Sequence, residues 1–140
     1  DFLPGAWSGL GTQLNYTRIS AEAESPTGEM QPLTNVSRHA FNAVLMYQYA
    51  RFSARVAYNR RSDYVASFNS SGDQPNAIRH GNEDWLDVAF NYDLNDHITL
   101  FAEATNVLGG STRNAFGNAA FPRDFASPER TYTVGARFRL

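Results

Sequence analysis

No cysteine occurs among the 140 residues, which excludes disulfide and thiolate chemistry and leaves the redox compartment open. There is no run of about 18 or more apolar residues, so no membrane-spanning helix is available. Charge of one sign is not in excess: 12 basic residues meet 14 acidic ones for a net charge of -2, and no basic surface argues for nucleic acid as a partner. The opening Asp1-Phe2-Leu3-Pro4-Gly5-Ala6-Trp7 lacks the basic and apolar regions of a signal peptide. An exported chain needs one, so the expectation is a piece of a longer precursor. No Gly-x-Ser-x-Gly, Walker loop or His-Glu-x-x-His is present, and no enzymatic activity is expected. His39, His80 and His97 fall on separate segments, so neither a metal site nor a cofactor is expected.

What is present is period-two alternation. In the last twelve residues Tyr132, Val134, Ala136, Phe138 and Leu140 share one parity, and Thr131, Thr133, Gly135, Arg137 and Arg139 share the other. One face is apolar and the other polar or small. The strand runs to a final apolar residue, where chain ends are usually polar, and the expectation is a barrel sealed by this strand. A mean hydropathy of -0.45 is compatible with that, because barrel strands place a lipid-facing residue only at every second position. Aromatic residues make up 14% of the chain, and barrels concentrate them at both membrane interfaces.

Six strands are predicted, at about 10–21, 37–49, 52–65, 83–92, 97–107 and 129–140. Their apolar sets are Leu10, Leu14 and Tyr16; Phe41, Ala43, Leu45 and Tyr47; Phe52, Ala54, Val56 and Tyr58; Leu86, Val88, Phe90 and Tyr92; Ile98, Leu100, Ala102 and Ala104; and the terminal set above. The connections alternate long and short. The long ones, 22–36, 67–82 and 108–128, hold Pro, Gly, Ser and Asn and read as loops. The short ones are a tight turn at Tyr49-Ala50-Arg51 and a link at Asp93-Leu94-Asn95-Asp96, whose Asp and Asn side chains bond their own backbone. Long loops on one side and short turns on the other fit an outer-membrane meander.

Arginine fixes the facing. Slipping the last strand by one residue would turn Arg137 and Arg139 toward lipid, and Arg55 sets the same constraint on the third strand. An arginine on a barrel's lipid face costs roughly 2–4 kcal/mol at the midplane and about 0–1 near the interfaces. The preferred parity therefore points arginine inward.

Four stretches carry a family resemblance: Gly9 to Arg18, Phe52 to Tyr64, Trp85 to Leu108 with its Leu-Phe-Ala-Glu-Ala-Thr-Asn-Val-Leu strand, and Arg130 to Leu140 with Arg-Thr-Tyr-Thr-Val-Gly. Their order resembles the C-terminal barrel region of TonB-dependent outer-membrane receptors, with Glu129 standing where glycine is usual. The resemblance implies an all-β, antiparallel up-and-down transmembrane β-barrel. Residues 1–140 would form about six C-terminal strands of a 22-stranded barrel whose lumen holds a plug; this stretch contains neither the plug domain nor the TonB box. The family's barrel-assembly signal matches Thr133, Gly135, Phe138 and Leu140, with leucine in place of the usual terminal aromatic.

The function so implied is TonB-dependent uptake of a scarce nutrient, a ferric siderophore or an oligosaccharide, across the bacterial outer membrane. Expected partners are outer-membrane lipid, the rest of the barrel and its plug, TonB, the barrel assembly machinery and a small-molecule ligand. Candidate lumen or substrate residues are Arg55, Asn59, Arg61, Trp85, Glu103, Arg113, Phe116 and Arg123. Stacking aromatics would favour carbohydrate, and arginines such as Arg79, Arg113 and Arg123 would favour an anionic chelate. The competing expectations are a passive porin or structural barrel, a soluble β-barrel or sandwich binding protein with its apolar residues inward, and a barrel-embedded hydrolase.

Overall fold

The computed structural model describes residues 3–24, 28–68, 77–117 and 120–139. Among these residues a short 3-10 turn, Gly5–Gly9, precedes twelve strands. These are β1 (Leu10–Arg18), β2 (Glu22–Glu24), β3 (Met30–Pro32), β4 (His39–Tyr49), β5 (Phe52–Arg61), β6 (Tyr64–Phe68), β7 (Ala77–His80), β8 (Glu83–Asn95), β9 (Ile98–Thr105), β10 (Thr112–Phe116), β11 (Pro122–Ala126) and β12 (Thr131–Phe138). The protein is all-β, and every pairing is antiparallel.

The six alternating segments form one sheet in the order β1-β4-β5-β8-β9-β12. Each of these strands lies beside the one before it in that series, as in a meander. The sheet is open: β1 pairs only with β4 and β12 only with β9 among the described residues. Leu140 lies outside the described residues.

Register decides whether the strands' apolar sides combine. Residues directly opposite each other in a ladder share a face, and the pairing Thr12–Leu45–Val56–Val88–Ala104–Tyr132 runs across all six strands. The next row, Leu10–Tyr47–Ala54–Phe90–Ala102–Val134, does the same. Six separately amphipathic strands thus present one continuous apolar face. The opposite face carries the row Gly11–Met46–Arg55–Ala89–Glu103–Thr133.

Among the described residues nothing covers the apolar face. Val134 is 81% exposed, Phe138 70%, Leu14 68% and Phe90 41%. Among the described residues the buried apolar ones are small, Ala57, Ala104 and Ala115, together with Val65. The chain exposes 10086 Å², whereas a compact protein of 15.6 kDa exposes roughly 7,200 Å². Among the described residues, therefore, no second layer of the kind a water-soluble sandwich needs packs on this face.

The long connections differ from the sequence expectation. All three contain strands. β2 and β3 form a small hairpin within 22–36, while β6, β7, β10 and β11 build a second sheet in the order β11-β10-β7-β6. The β5–β8 hairpin continues into it without loss of register: Arg61 faces Glu83, and beyond the strand breaks at Ser62-Asp63 and Gly81-Asn82, Tyr64 faces His80. The main-chain N–H of Asp63 donates to Asn82 Oδ1 at 2.8 Å across this break. Composition alone hid these strands because Ser, Asn and Gly serve bends and bulges as readily as loops. Pro122 opens the edge strand β11, one of the few strand positions where a missing N–H is harmless.

The short turns lie at the other end. Tyr49 faces Phe52 across Ala50-Arg51, with Ala50 at φ 51°. β8 runs further than expected, to Asn95, so the second turn is Asp96-His97. Asn95 Oδ1 accepts the N–H groups of His97 and Ile98, each at 2.9 Å, which is the local side-chain bonding expected of this link.

Candidate functional site

The eight candidate residues separate into two groups. Arg55, Asn59 and Trp85 lie on the polar face of the large sheet, where Asn59 stands directly opposite Trp85. Glu103 shares Arg55's row with Ala89 between them, which sets their backbone positions two strand spacings apart, roughly 9–10 Å. No ion pair joins them among the described residues. Arg61 stands at the junction of the two sheets. Its Nε donates to Ser37 Oγ at 2.6 Å, and its guanidinium lies 4.1 Å from the centre of the Tyr64 ring.

Arg113 and Phe116 are on β10 and Arg123 is on β11, so the second group belongs to the outer sheet. Here the structure brings together what the sequence leaves scattered. A cleft of about 890 Å³ is lined by Arg79, Arg113 and Arg123 with Asp63, Asp124 and Phe125 among its walls. Arg79 approaches Asp63 at 3.5 Å and Arg123 approaches Asp124 at 3.6 Å. Arg113 has no carboxylate partner among the described residues and instead lies 5.5 Å over the Phe125 ring. Arg123 lies 6.0 Å over Phe116. Every cation in the chain is arginine, the planar, permanently charged group suited to stacking and to two-point carboxylate binding.

A polar row holds this sheet together, and sequence reasoning did not find it. Tyr64 and His80 pack with ring centres 4.8 Å apart. His80 Nδ1 meets Asn114 Oδ1 at 2.7 Å and its Nε2 meets Glu83 Oε1 at 2.8 Å. Asn114 Nδ2 then donates to Asp124 Oδ1 at 2.5 Å. These residues are ladder partners, Tyr64 with His80, His80 with Asn114 and Asn114 with Asp124, so all four strands are stitched side chain to side chain. Both ring nitrogens of His80 thus lie within hydrogen-bonding distance of a side-chain oxygen. Among the described residues no cluster of three or more His, Cys, Asp or Glu side chains is placed to hold a metal ion.

Asn106 is the other residue that sequence reasoning passed over. It is 2% exposed and sits at φ 54° where β9 ends. Its N–H donates to Asp87 Oδ1 at 3.0 Å, its Nδ2 to the Pro128 carbonyl at 2.9 Å, and its Oδ1 accepts the Gly110 N–H at 2.9 Å. It thus locks the base of the β10–β11 hairpin to β8. The signal was available: asparagine directly after a strand tolerates the left-handed region and bonds nearby backbone.

On β12, Thr133 and Gly135 face the polar side, and Phe138 lies in the apolar row with Ile98. Gly135 lies under the Phe101 ring, where a Cβ would come within 2.6 Å of Phe101 Cζ. Close approach of an aromatic ring is therefore a physical reason for glycine at this position.

No protein-family model, no curated protein and no solved structure matches this chain.

Proposed function

We propose that this chain forms part of an outer-membrane β-barrel of the TonB-dependent receptor class, supplying about six C-terminal strands of a 22-stranded barrel. In this reading it serves active uptake of a scarce nutrient, a ferric siderophore or an oligosaccharide, with TonB coupled through a plug elsewhere in the same protein. The observation that carries the reading is the exposed apolar face, continuous through the register of six strands and opposed by a polar one. Such a face needs hydrocarbon against it, because a patch this broad in water drives association. The open edges of β1 and β12 need further strands, since an unpaired edge in lipid leaves backbone groups unsatisfied. The rest of the barrel supplies them.

In this orientation the short turns Ala50-Arg51 and Asp96-His97 face the periplasm, and the outer sheet with its arginine cleft stands on the extracellular side, where ligand arrives. A passive barrel shares the membrane geometry; dependence of uptake on TonB separates the two.

Absence of native cysteine makes the membrane test direct. Single cysteines at Phe90 and Val134, and at Asn91 and Thr133, are to be spin-labelled in lipid vesicles. Labels at Phe90 and Val134 should be relaxed mainly by lipid-dissolved oxygen, and those at Asn91 and Thr133 mainly by a water-soluble nickel chelate. Equal accessibility at neighbouring positions would reject the membrane reading.

A further inference from the structure

We infer that the cleft of the outer sheet binds a ring-bearing carboxylate, with the Arg113 guanidinium as its anchor. The inference rests on the proposed reading of this sheet as the ligand-meeting end, and deepens it by naming the chemistry the site selects.

Charge balance comes first. The cleft wall holds three guanidinium groups, of Arg79, Arg113 and Arg123, and two carboxylates, of Asp63 and Asp124. The remaining titratable group on the wall, His80, is engaged by Glu83 and Asn114. One positive charge is left over, which suits a single carboxylate better than a multiply charged anion. It belongs to Arg113, whose contact is the Phe125 ring.

The two existing ion pairs leave their arginines free to turn toward a ligand. At 3.5 and 3.6 Å they are longer than the roughly 2.7–2.9 Å of a strong charge-assisted hydrogen bond. They are also about half exposed, where such pairs contribute little. Asp124 is occupied by Asn114 through its other oxygen.

Shape supplies the second half. The Arg113 guanidinium, 5.5 Å from the centre of the Phe125 ring, is a planar fork that can meet both oxygens of a carboxylate. Phe125 is 58% exposed, so ring surface remains open beside the anchor, and a flat aryl group or the C–H face of a sugar packs against such a surface. The cleft volume of about 890 Å³ falls within the range of roughly 300–1,000 Å³ usual for small-molecule sites. An acidic sugar and an aryl acid share this chemistry, a carboxylate on a ring.

The full protein in detergent micelles is to be titrated with glucuronate and with benzoate, and with the methyl ester of each, by calorimetry. At least one acid should bind, its ester at least tenfold more weakly, and Arg113→Gln should weaken the acid at least tenfold. Arg113→Lys, which keeps the charge and loses the fork, should lie between. Arg51→Gln, at the opposite end of the molecule, should change affinity less than threefold. The acid that binds more tightly identifies the natural source, sugar or aryl. Circular dichroism first establishes that each variant is folded. Equal binding of acid and ester, unchanged binding to a folded Arg113→Gln, or no acid binding by the folded wild type would overturn the inference. Acid binding without the lipid-facing pattern at Val134 would reject the membrane reading and leave the cleft intact; the converse would reject the cleft alone.

Discussion

At the scale of single residues, Asn106 shows how one polar side chain fixes a fold. Two strands and two loop segments meet on its amide and backbone, and it is 2% exposed. Asn106→Ala removes two hydrogen bonds, leaves the Pro128 carbonyl and the Gly110 N–H short of a partner, and forces a Cβ-bearing residue without local compensation to remain at φ 54°. An unsatisfied buried group costs about 1–3 kcal/mol and a left-handed backbone about 1–2 kcal/mol. The expected loss is about 2–5 kcal/mol in all, read as a lower urea midpoint by intrinsic fluorescence. Asn106→Gly, which relieves the backbone and still loses the bonds, should recover part of it. Equal stability of all three proteins would mean that water replaces the amide.

At the scale of elements, the strand is the unit on which facing is decided. β12 carries Thr133 toward the polar side and Val134 toward the apolar one, one residue apart. In a bilayer Val134→Arg should cost about 2–4 kcal/mol and Thr133→Arg close to nothing, because only the first puts a guanidinium against acyl chains. Refolding titrations into vesicles measure this difference. In a sheet buried against protein on its apolar side the position would still be sensitive, so the discriminating feature is depth: arginine at Phe138, near the strand end, should cost only about 0–1 kcal/mol in a membrane. A uniform penalty along the strand would argue against lipid.

At the scale of the whole molecule, two sheets share one chain path but differ in what holds them. The large sheet is held by long ladders with one register shift, at Asp93/Asn95, whereas the outer sheet has strands of four or five residues joined by the Tyr64–His80–Asn114–Asp124 row. Short strands contribute few ladder bonds each, so side-chain stitching matters more there. His80→Ala should raise amide hydrogen exchange in β6, β7, β10 and β11 at least tenfold while β4, β5 and β8 keep their protection, since local opening follows the weaker cooperative unit. A change that spread equally over both sheets would mean that they unfold as one.

Much of the large sheet is legible in the amino-acid order because alternation is local: residues two apart lie on one side of a strand whatever that strand pairs with. The six segments, their apolar sets and the tight turn at Ala50-Arg51 follow from this alone. The arginines scattered at 79, 113 and 123 could be read as candidates for an anionic ligand from their chemistry. Their meeting around one cleft could not, because it depends on β7 pairing with β10, a contact between residues more than thirty apart in a region whose composition favours bends. Cross-strand partnership decided the rest: it merged six apolar stripes into one face, raised a second sheet from apparent loops, and placed His80 between Glu83 and Asn114. Side-chain parity is written into each strand, but neighbourhood arises only when distant backbone groups find each other.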